Sequence, residues 1–290
     1  MVAVAARTSL LQDGIDTESG PLRSFATSTV LSDVMLPNFL IVGSMKCGTS
    51  ALYRAVVNHD DVFGAKGKEL HYFDRNYEKG PEWYMAHFAD HGEATAVGEG
   101  TPYLSDEQPS MGRLVNDLPD AKMVAIVRQP VDRAYSHYWH NRRREREERT
   151  FVDAFTTDVG KAEPIGPWMN YWRLGTYARY LKYISDKIGA EQVHVLLSED
   201  LRDDRATAMR DVWRHIGVDP DQGRLEVPGR SLWKKAYRAS KNVVKGRSDD
   251  RSYPPIDPAT RNELTEIYRG DVLELQEYLK RDLSSWLRPV

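Results

Sequence analysis

The sequence predicts an α/β fold: a P-loop-like, three-layer arrangement with a central parallel sheet flanked by helices. Three observations predict it. Short apolar runs, long enough for buried strands, alternate with stretches of helical spacing. The first apolar run leads directly into a loop bearing two glycines, and that loop leads into a helical stretch. Each apolar run is continuous, as expected of strands buried on both faces of a parallel sheet.

In chain order, Phe39-Leu40-Ile41-Val42 is the first strand, followed by the loop 43–50 and a helix over 51–58. Residues 94–98 form a second strand and residues 122–127 (KMVAIV) a third, with Arg128 at its end. A long helix is expected over 131–149, where the sign alternation of 142–149 reads as an exposed helix face. Residues 177–188 form a helix with aromatic side chains at Tyr177, Tyr180 and Tyr183. A strand over 192–197, a helix over 206–216 and a last helix over 258–279, entered through a proline-rich turn, complete the pattern. Residues 1–36 have no sustained period and are expected to be a flexible extension, leaving 37–290 as a single domain.

The composition limits the function classes. The chain has 290 residues, 41% hydrophobic and 29% charged, enough to bury a substantial core. No run approaches the roughly 20 apolar residues of a membrane span. The N-terminus lacks a basic segment followed by an apolar one, which argues against a secretory signal. Cys47 is the single cysteine, so no intrachain disulfide can form, and a cytoplasmic location fits best. A net charge of −3 and the absence of a nucleic-acid module argue against a nucleic-acid partner. Charge is unevenly spread: residues 224–251 hold nine Lys/Arg against three Asp/Glu, an excess suited to an anion.

The loop Gly43-Ser44-Met45-Lys46-Cys47-Gly48-Thr49-Ser50 is the main chemical signal. Between a strand and a helix N-terminus, free backbone N–H groups and the helix dipole favour an anion. Gly43 and Gly48 allow a tight turn and close approach, Thr49 and Ser50 add hydroxyls, and Lys46 adds a charge. The glycine spacing matches the nucleoside-triphosphate loop G-x-x-x-x-G-K-[ST], but Thr49 stands where the lysine belongs. The third strand ends in Arg128 where a metal-binding aspartate would be expected. A magnesium-dependent kinase or hydrolase is therefore disfavoured.

These residues resemble the 3′-phosphoadenosine-5′-phosphosulfate (PAPS)-dependent sulfotransferases, in particular the heparan-sulfate sulfotransferase branch and its bacterial relatives. The resemblance runs over roughly residues 37–280. Residues 41–52 resemble the family's 5′-phosphosulfate loop. The strand ending in Arg128, with Ser136 eight residues later, resembles the pair that holds the 3′-phosphate. Lys245-Gly246-Arg247 resembles the family's third donor loop. The resemblance implies PAPS as co-substrate, PAP as product and no metal. It implies donor contacts from Lys46, Cys47, Gly48, Thr49, Ser50, Arg128, Ser136, Lys245, Gly246 and Arg247. Physically, a donor with two anionic ends needs two cationic pockets, and arginine suits the phosphate because its planar fork can bind two oxygens. The side chain of Cys47 itself is expected to pack and not to act as a nucleophile.

Sulfuryl transfer requires a group to take the acceptor proton and another to stabilise charge on the leaving oxygen. Lys46 suits the second task. The segment Lys68-Glu69-Leu70-His71-Tyr72-Phe73-Asp74 resembles the family's catalytic-base segment, which nominates Glu69 as base and His71 as assistant. If that segment is extended, both side chains leave the same face. Asp74 is a weaker candidate. The segment Gly98-Glu99-Gly100-Thr101-Pro102-Tyr103 departs from its family counterpart, with Gly100 where several O-sulfotransferases carry a second lysine. This departure, and the missing cysteine pair and membrane anchor of the animal enzymes, imply a soluble bacterial relative.

Glu99, Thr101, Trp168, Tyr171 and Trp172 are expected to line the acceptor side, the aromatic ones as the walls of a largely apolar pocket. Trp139, three residues beyond Ser136, falls near the same helix face. The expected acceptor is a small molecule or glycoconjugate: a glycolipid, a natural product or a phenol. The alternatives are a P-loop nucleotide-dependent kinase and a catalytically inactive PAPS-binding regulator. The acceptor, O- versus N-sulfation and the oligomeric state stay open at this stage.

Overall fold

The computed structural model describes residues 36–104, 109–159, 169–225 and 253–289. At its centre are five parallel strands: β1 (Phe39–Gly43), β2 (Val62–Gly64), β3 (Ala96–Glu99), β4 (Lys122–Val127) and β5 (Val193–Leu197). Their spatial order is β2-β3-β1-β4-β5. All five residues of β1 and the last five of β4 are buried, which accounts for their unbroken apolar character. β1 pairs on one side with β3, Phe39 opposite Gly98, and on the other with β4, Ile41 opposite Val124. A Cβ at position 98 would lie 2.1 Å from the Phe39 carbonyl oxygen, so glycine is required there.

Helices cover the sheet: α1 (Thr49–Val56), α2 (Gly80–Met85), α3 (Ser110–Asp117), α4 (Pro130–Arg142), α5 (Phe151–Thr156), α6 (Tyr177–Ile188), α7 (Ser198–Asp203), α8 (Arg205–His215) and α9 (Pro258–Leu279). α1 packs with α8, and α9 packs with α6 and α4. The Trp213 indole on α8 donates to the Val56 carbonyl at the end of α1 (3.2 Å) and ties that pair together. Several helix starts follow ordinary capping chemistry. The Asp257 carboxylate accepts from the Thr260 amide (2.8 Å) ahead of Pro258, and Gln129 does the same for Asp132 (2.8 Å) ahead of Pro130.

α6, β4 and α9 occupy the stretches expected for them. The very short strand β2 has no counterpart in the sequence reading. The helix expected over 131–149 ends earlier, at Arg142. Arg146 N–H donates to the Asn141 carbonyl and Glu145 N–H to the Arg142 carbonyl, with Glu145 left-handed at φ 58°. This pair of bonds closes a helix C-terminus, here without the usual glycine. Nor is 142–149 a wholly exposed face, because Glu147 is buried and bonded to Arg149 (2.7 Å) and to the Tyr171 hydroxyl (3.0 Å). Of the expected extension 1–36, only Leu36 lies among the described residues. No helix among the described residues is long and apolar enough to cross a membrane.

Candidate active site

The loops leaving the C-terminal ends of β1, β3 and β4 converge beside the first strand, where the sheet order changes direction and α/β sheets bind ligands. The loop after β1 turns on Gly48, whose φ of 111° disfavours any side chain, and α1 begins at the next residue. Lys46 is left-handed at φ 71° and projects toward α4, where its Nζ lies 3.4 Å from His140 Nδ1. Its pKa is lowered, first by burial and then by the positive charges of Arg144, Arg143, Arg128 and Arg133. Such a concentration of positive charge around a half-buried lysine is a site prepared for an anion.

His140 was not assigned a role from sequence, although it lies one helical turn beyond Ser136. The spacing i, i+4 was a usable signal. Burial, then Lys46 and Arg144, push its pKa down to about 4, so the ring is neutral near pH 7. Its Nε2 contacts the Arg144 guanidinium while Nδ1 faces Lys46. A neutral imidazole can accept at only one nitrogen, so it cannot satisfy both cations at once. An anion between them would.

The segment 68–74 meets the start of α1. Lys68 Nζ donates to Ser50 Oγ on α1 (3.0 Å) and to Glu69 Oε1 (2.8 Å), which holds Glu69 beside the start of α1. His71 Nδ1 lies 2.8 Å from Asp74 Oδ2, and its Nε2 faces Glu69 Oε2 at 3.8 Å. Glu69 and His71 do share one site, but not through an extended segment. Both are left-handed, at φ 65° and 50°, and a π-helical turn follows over Tyr72–Asn76. The hydrogen bond to Asp74, and then that to Glu69, raise the His71 pKa to about 9. His71, ahead of Lys68, lowers Glu69 to about 2. At neutral pH, His71 therefore carries the proton and Glu69 carries the free lone pairs.

The remaining donor-side residues fall as follows. Arg128 is half-buried at the end of β4, and its carbonyl accepts from the Tyr177 hydroxyl (2.8 Å). Ser136 is half-buried on α4. Cys47 is 1% exposed, lies 3.6 Å from the Tyr177 hydroxyl, and is pushed by burial to about 11, so its thiol packs inward. Thr49 is also buried, whereas Gly48 and Ser50 are exposed. Lys245, Gly246, Arg247 and Trp168 lie outside the described residues.

The acceptor-side expectations need correction. Glu99 and Thr101 are 0% and 1% exposed and bond to each other (2.6 Å), so they lie beneath the site and do not line it. Tyr171 is also fully buried, its hydroxyl accepting from Asn141 (3.0 Å) and donating to Glu147 (3.0 Å). Trp172 is buried as well, its amide held by the Asp158 carboxylate (2.8 Å). Tyr171 and Trp172 are core. The departure at Gly100 also has a cause: a Cβ there would lie 2.9 Å from Cδ2 of the Tyr53 ring, so the ring occupies the space a side chain would need.

The sulfotransferase domain family model matches residues 36–284, and the chain belongs to that family. It is 31% identical over 278 residues to the mouse bifunctional heparan sulfate N-deacetylase/N-sulfotransferase 4, and 29% identical over 280 residues to the human enzyme 3 of that name. Each match covers 87% of this chain but 31% of the relative, so the chain spans about a third of the length of these proteins. The crystal structure of a sulfotransferase from Alicyclobacillus acidocaldarius is 30% identical, with a TM-score of 0.72, covering 88% of this chain and all of the other.

Proposed function

We propose that this protein transfers a sulfuryl group from PAPS to a hydroxyl or amine of a small-molecule or glycoconjugate acceptor, in line and without a metal. The observation that supports this reading is the segment 43–50: Lys46 in it is surrounded by four arginines, and Ser50 at its end is bonded to Lys68, which also holds the Glu69 carboxylate. The 5′-phosphosulfate end of the donor belongs at Lys46 and the loop amides, and the 3′-phosphate at Arg128 and Ser136. Among the described residues, no group of three or more His, Cys, Asp or Glu is placed to hold a metal ion.

In this mechanism the acceptor oxygen or nitrogen attacks sulfur, and the sulfur–oxygen bond to the 5′-phosphate breaks as the new bond forms. Glu69 takes the acceptor proton. Lys46 faces the oxygen that leaves with the bond electrons. Its lowered pKa makes it a stronger hydrogen-bond donor to that oxygen than an ordinary lysine. Protonated His71, anchored by Asp74, holds the Glu69 carboxylate toward the acceptor. A carboxylate at about 2 is fully ionised but a weak base. Acceptor binding displaces water around it, and burial already acts to raise its pKa.

The test is transfer of radiolabel from PAPS, with chelator present, to a panel of phenols, amino sugars and glycosides, run beside labelled ATP with magnesium. Lys46→Ala is expected to lower turnover by about 10²–10³-fold, the range for a lost transition-state donor. Magnesium-dependent transfer from ATP by the wild type, with none from PAPS, would support a kinase instead. Tight PAP binding without any transfer would support a regulator.

A further inference from the structure

Glu69 and His71 both occupy the left-handed region without being glycine, a conformation that persists where the surroundings impose it. What imposes it is a row of side chains on the strand end next door. Three successive amides of the base segment donate to three alternate residues there. Leu70 N–H donates to Glu99 Oε2 (3.3 Å), His71 N–H to Thr101 Oγ1 (3.4 Å) and Tyr72 N–H to Tyr103 Oη (3.0 Å). Glu99 ends β3, and the chain then turns at Pro102, where Tyr103 N–H donates to the Thr101 carbonyl (2.8 Å); the turn leaves all three side chains facing residues 70–72.

The three side chains are themselves joined. Thr101 donates to Glu99 Oε2 (2.6 Å) and Tyr103 to Oε1 (3.0 Å), while Tyr84 adds a third hydroxyl (3.1 Å). With Leu70 N–H, every group bonded to Glu99 is a donor. Only a carboxylate, with two accepting oxygens, meets four donors without leaving one facing another donor. Glutamine in that place would turn an NH2 group toward hydroxyls or an amide.

We infer that Glu99, Thr101 and Tyr103 form a hydrogen-bonded template that fixes the backbone of residues 70–72 and thereby aims the Glu69–His71 pair at the reacting centre. They are positioning residues and touch no substrate. The inference rests on the proposed role of Glu69 for its catalytic consequence, but the placement of His71 can be measured without any acceptor. Glu69, Asp74 and Arg75 are the charged groups facing the His71 ring.

The test compares Thr101→Val, which removes the hydroxyl at the middle of the template, with Thr101→Ser, which keeps it. Tyr278→Phe, which removes a hydroxyl contact to Ser185 between α6 and α9, serves as a control for ordinary loss of stability. The His71 ring is titrated by NMR. The wild type and Thr101→Ser should titrate near 9, as should Tyr278→Phe, while Thr101→Val should fall at least one pH unit toward the ordinary histidine value. With PAPS and an acceptor from the panel, Thr101→Val should lose about tenfold or more in kcat at an unchanged KM for PAPS, in keeping with the cost of displacing a catalytic group. An unchanged His71 titration in Thr101→Val overturns the template, as does an equal shift in Tyr278→Phe. A fully active Glu69→Gln would instead remove Glu69 as base, and the His71 titration would still decide the template.

Discussion

Lys46 and His71 sit in opposite electrostatic surroundings, and that contrast defines the chemistry at the residue scale. Around Lys46, burial and four arginines disfavour its charge, so an incoming dianion relieves repulsion. PAP should therefore raise the melting temperature, and its affinity should fall with added salt, measured by calorimetry between low and physiological ionic strength. Around His71, Asp74 and Glu69 favour the proton. His71 binds its proton more tightly folded than unfolded, so its stabilising contribution is complete below about 6.5 and is lost as pH rises through about 9. Glu69 is the reverse: its contribution is present above about 4.5 and is lost as pH falls toward 2. Turnover should accordingly hold across neutral pH and decline near 9. Asp74→Asn should move that alkaline limb to lower pH, and an unmoved limb would separate His71 from the activity. Gly100→Lys should fail to add a functional lysine and should lower the melting temperature, because Tyr53 already fills the space.

At the scale of elements, α6 links the donor side to the last helix. The Asp271 carboxylate on α9 accepts from the Tyr177 and Ala178 amides (3.0 and 3.2 Å), at the N-terminus of α6. Tyr177 in turn bonds to the Arg128 carbonyl. Burial raises Asp271 to about 8 against the pull of those two amides. The folded state therefore holds this proton more tightly than the unfolded chain, and its contribution to stability declines as pH rises from about 4 to 8. Asp271→Asn should flatten that decline in a series of chemical denaturation curves. The elements most legible in the sequence were those whose signal is local: β4 from its apolar run, and α9 from Asp257-Pro258 and its length. The end of α4 was hidden because its left-handed closing residue is Glu145 where a glycine would have marked it. β2 was hidden because three residues carry no period.

At the scale of the molecule, the sheet order gathers the ends of β1, β3 and β4 into one place, and the sequence marked all three with recognisable residues. The sequence singled out Lys46 for its charge in a glycine-bearing loop, and Arg128, Glu69 and His71 by resemblance; the structure brings Arg128 near Lys46 and Glu69 near His71. His140 was less legible, since its role follows from facing Lys46 across two elements 94 residues apart. The aromatic residues Tyr171 and Trp172 misled because sequence cannot distinguish a pocket wall from core packing, and the buried Asn141 and Glu147 that engage Tyr171 lie 30 and 24 residues away. Glu99 misled for a related reason: four donors, two of them (Leu70 and Tyr84) from distant segments, surround a carboxylate that composition would place in solvent. All of these placements serve one claim, that a cationic loop and an ionised Glu69 together move a sulfuryl group. The most direct test is transfer of 35S from labelled PAPS across the acceptor panel, comparing wild type with Glu69→Ala. Labelled product from the wild type, reduced by about 10²–10⁴-fold in the variant, is the predicted result. No labelled product from any acceptor, or equal transfer by Glu69→Ala, would contradict it.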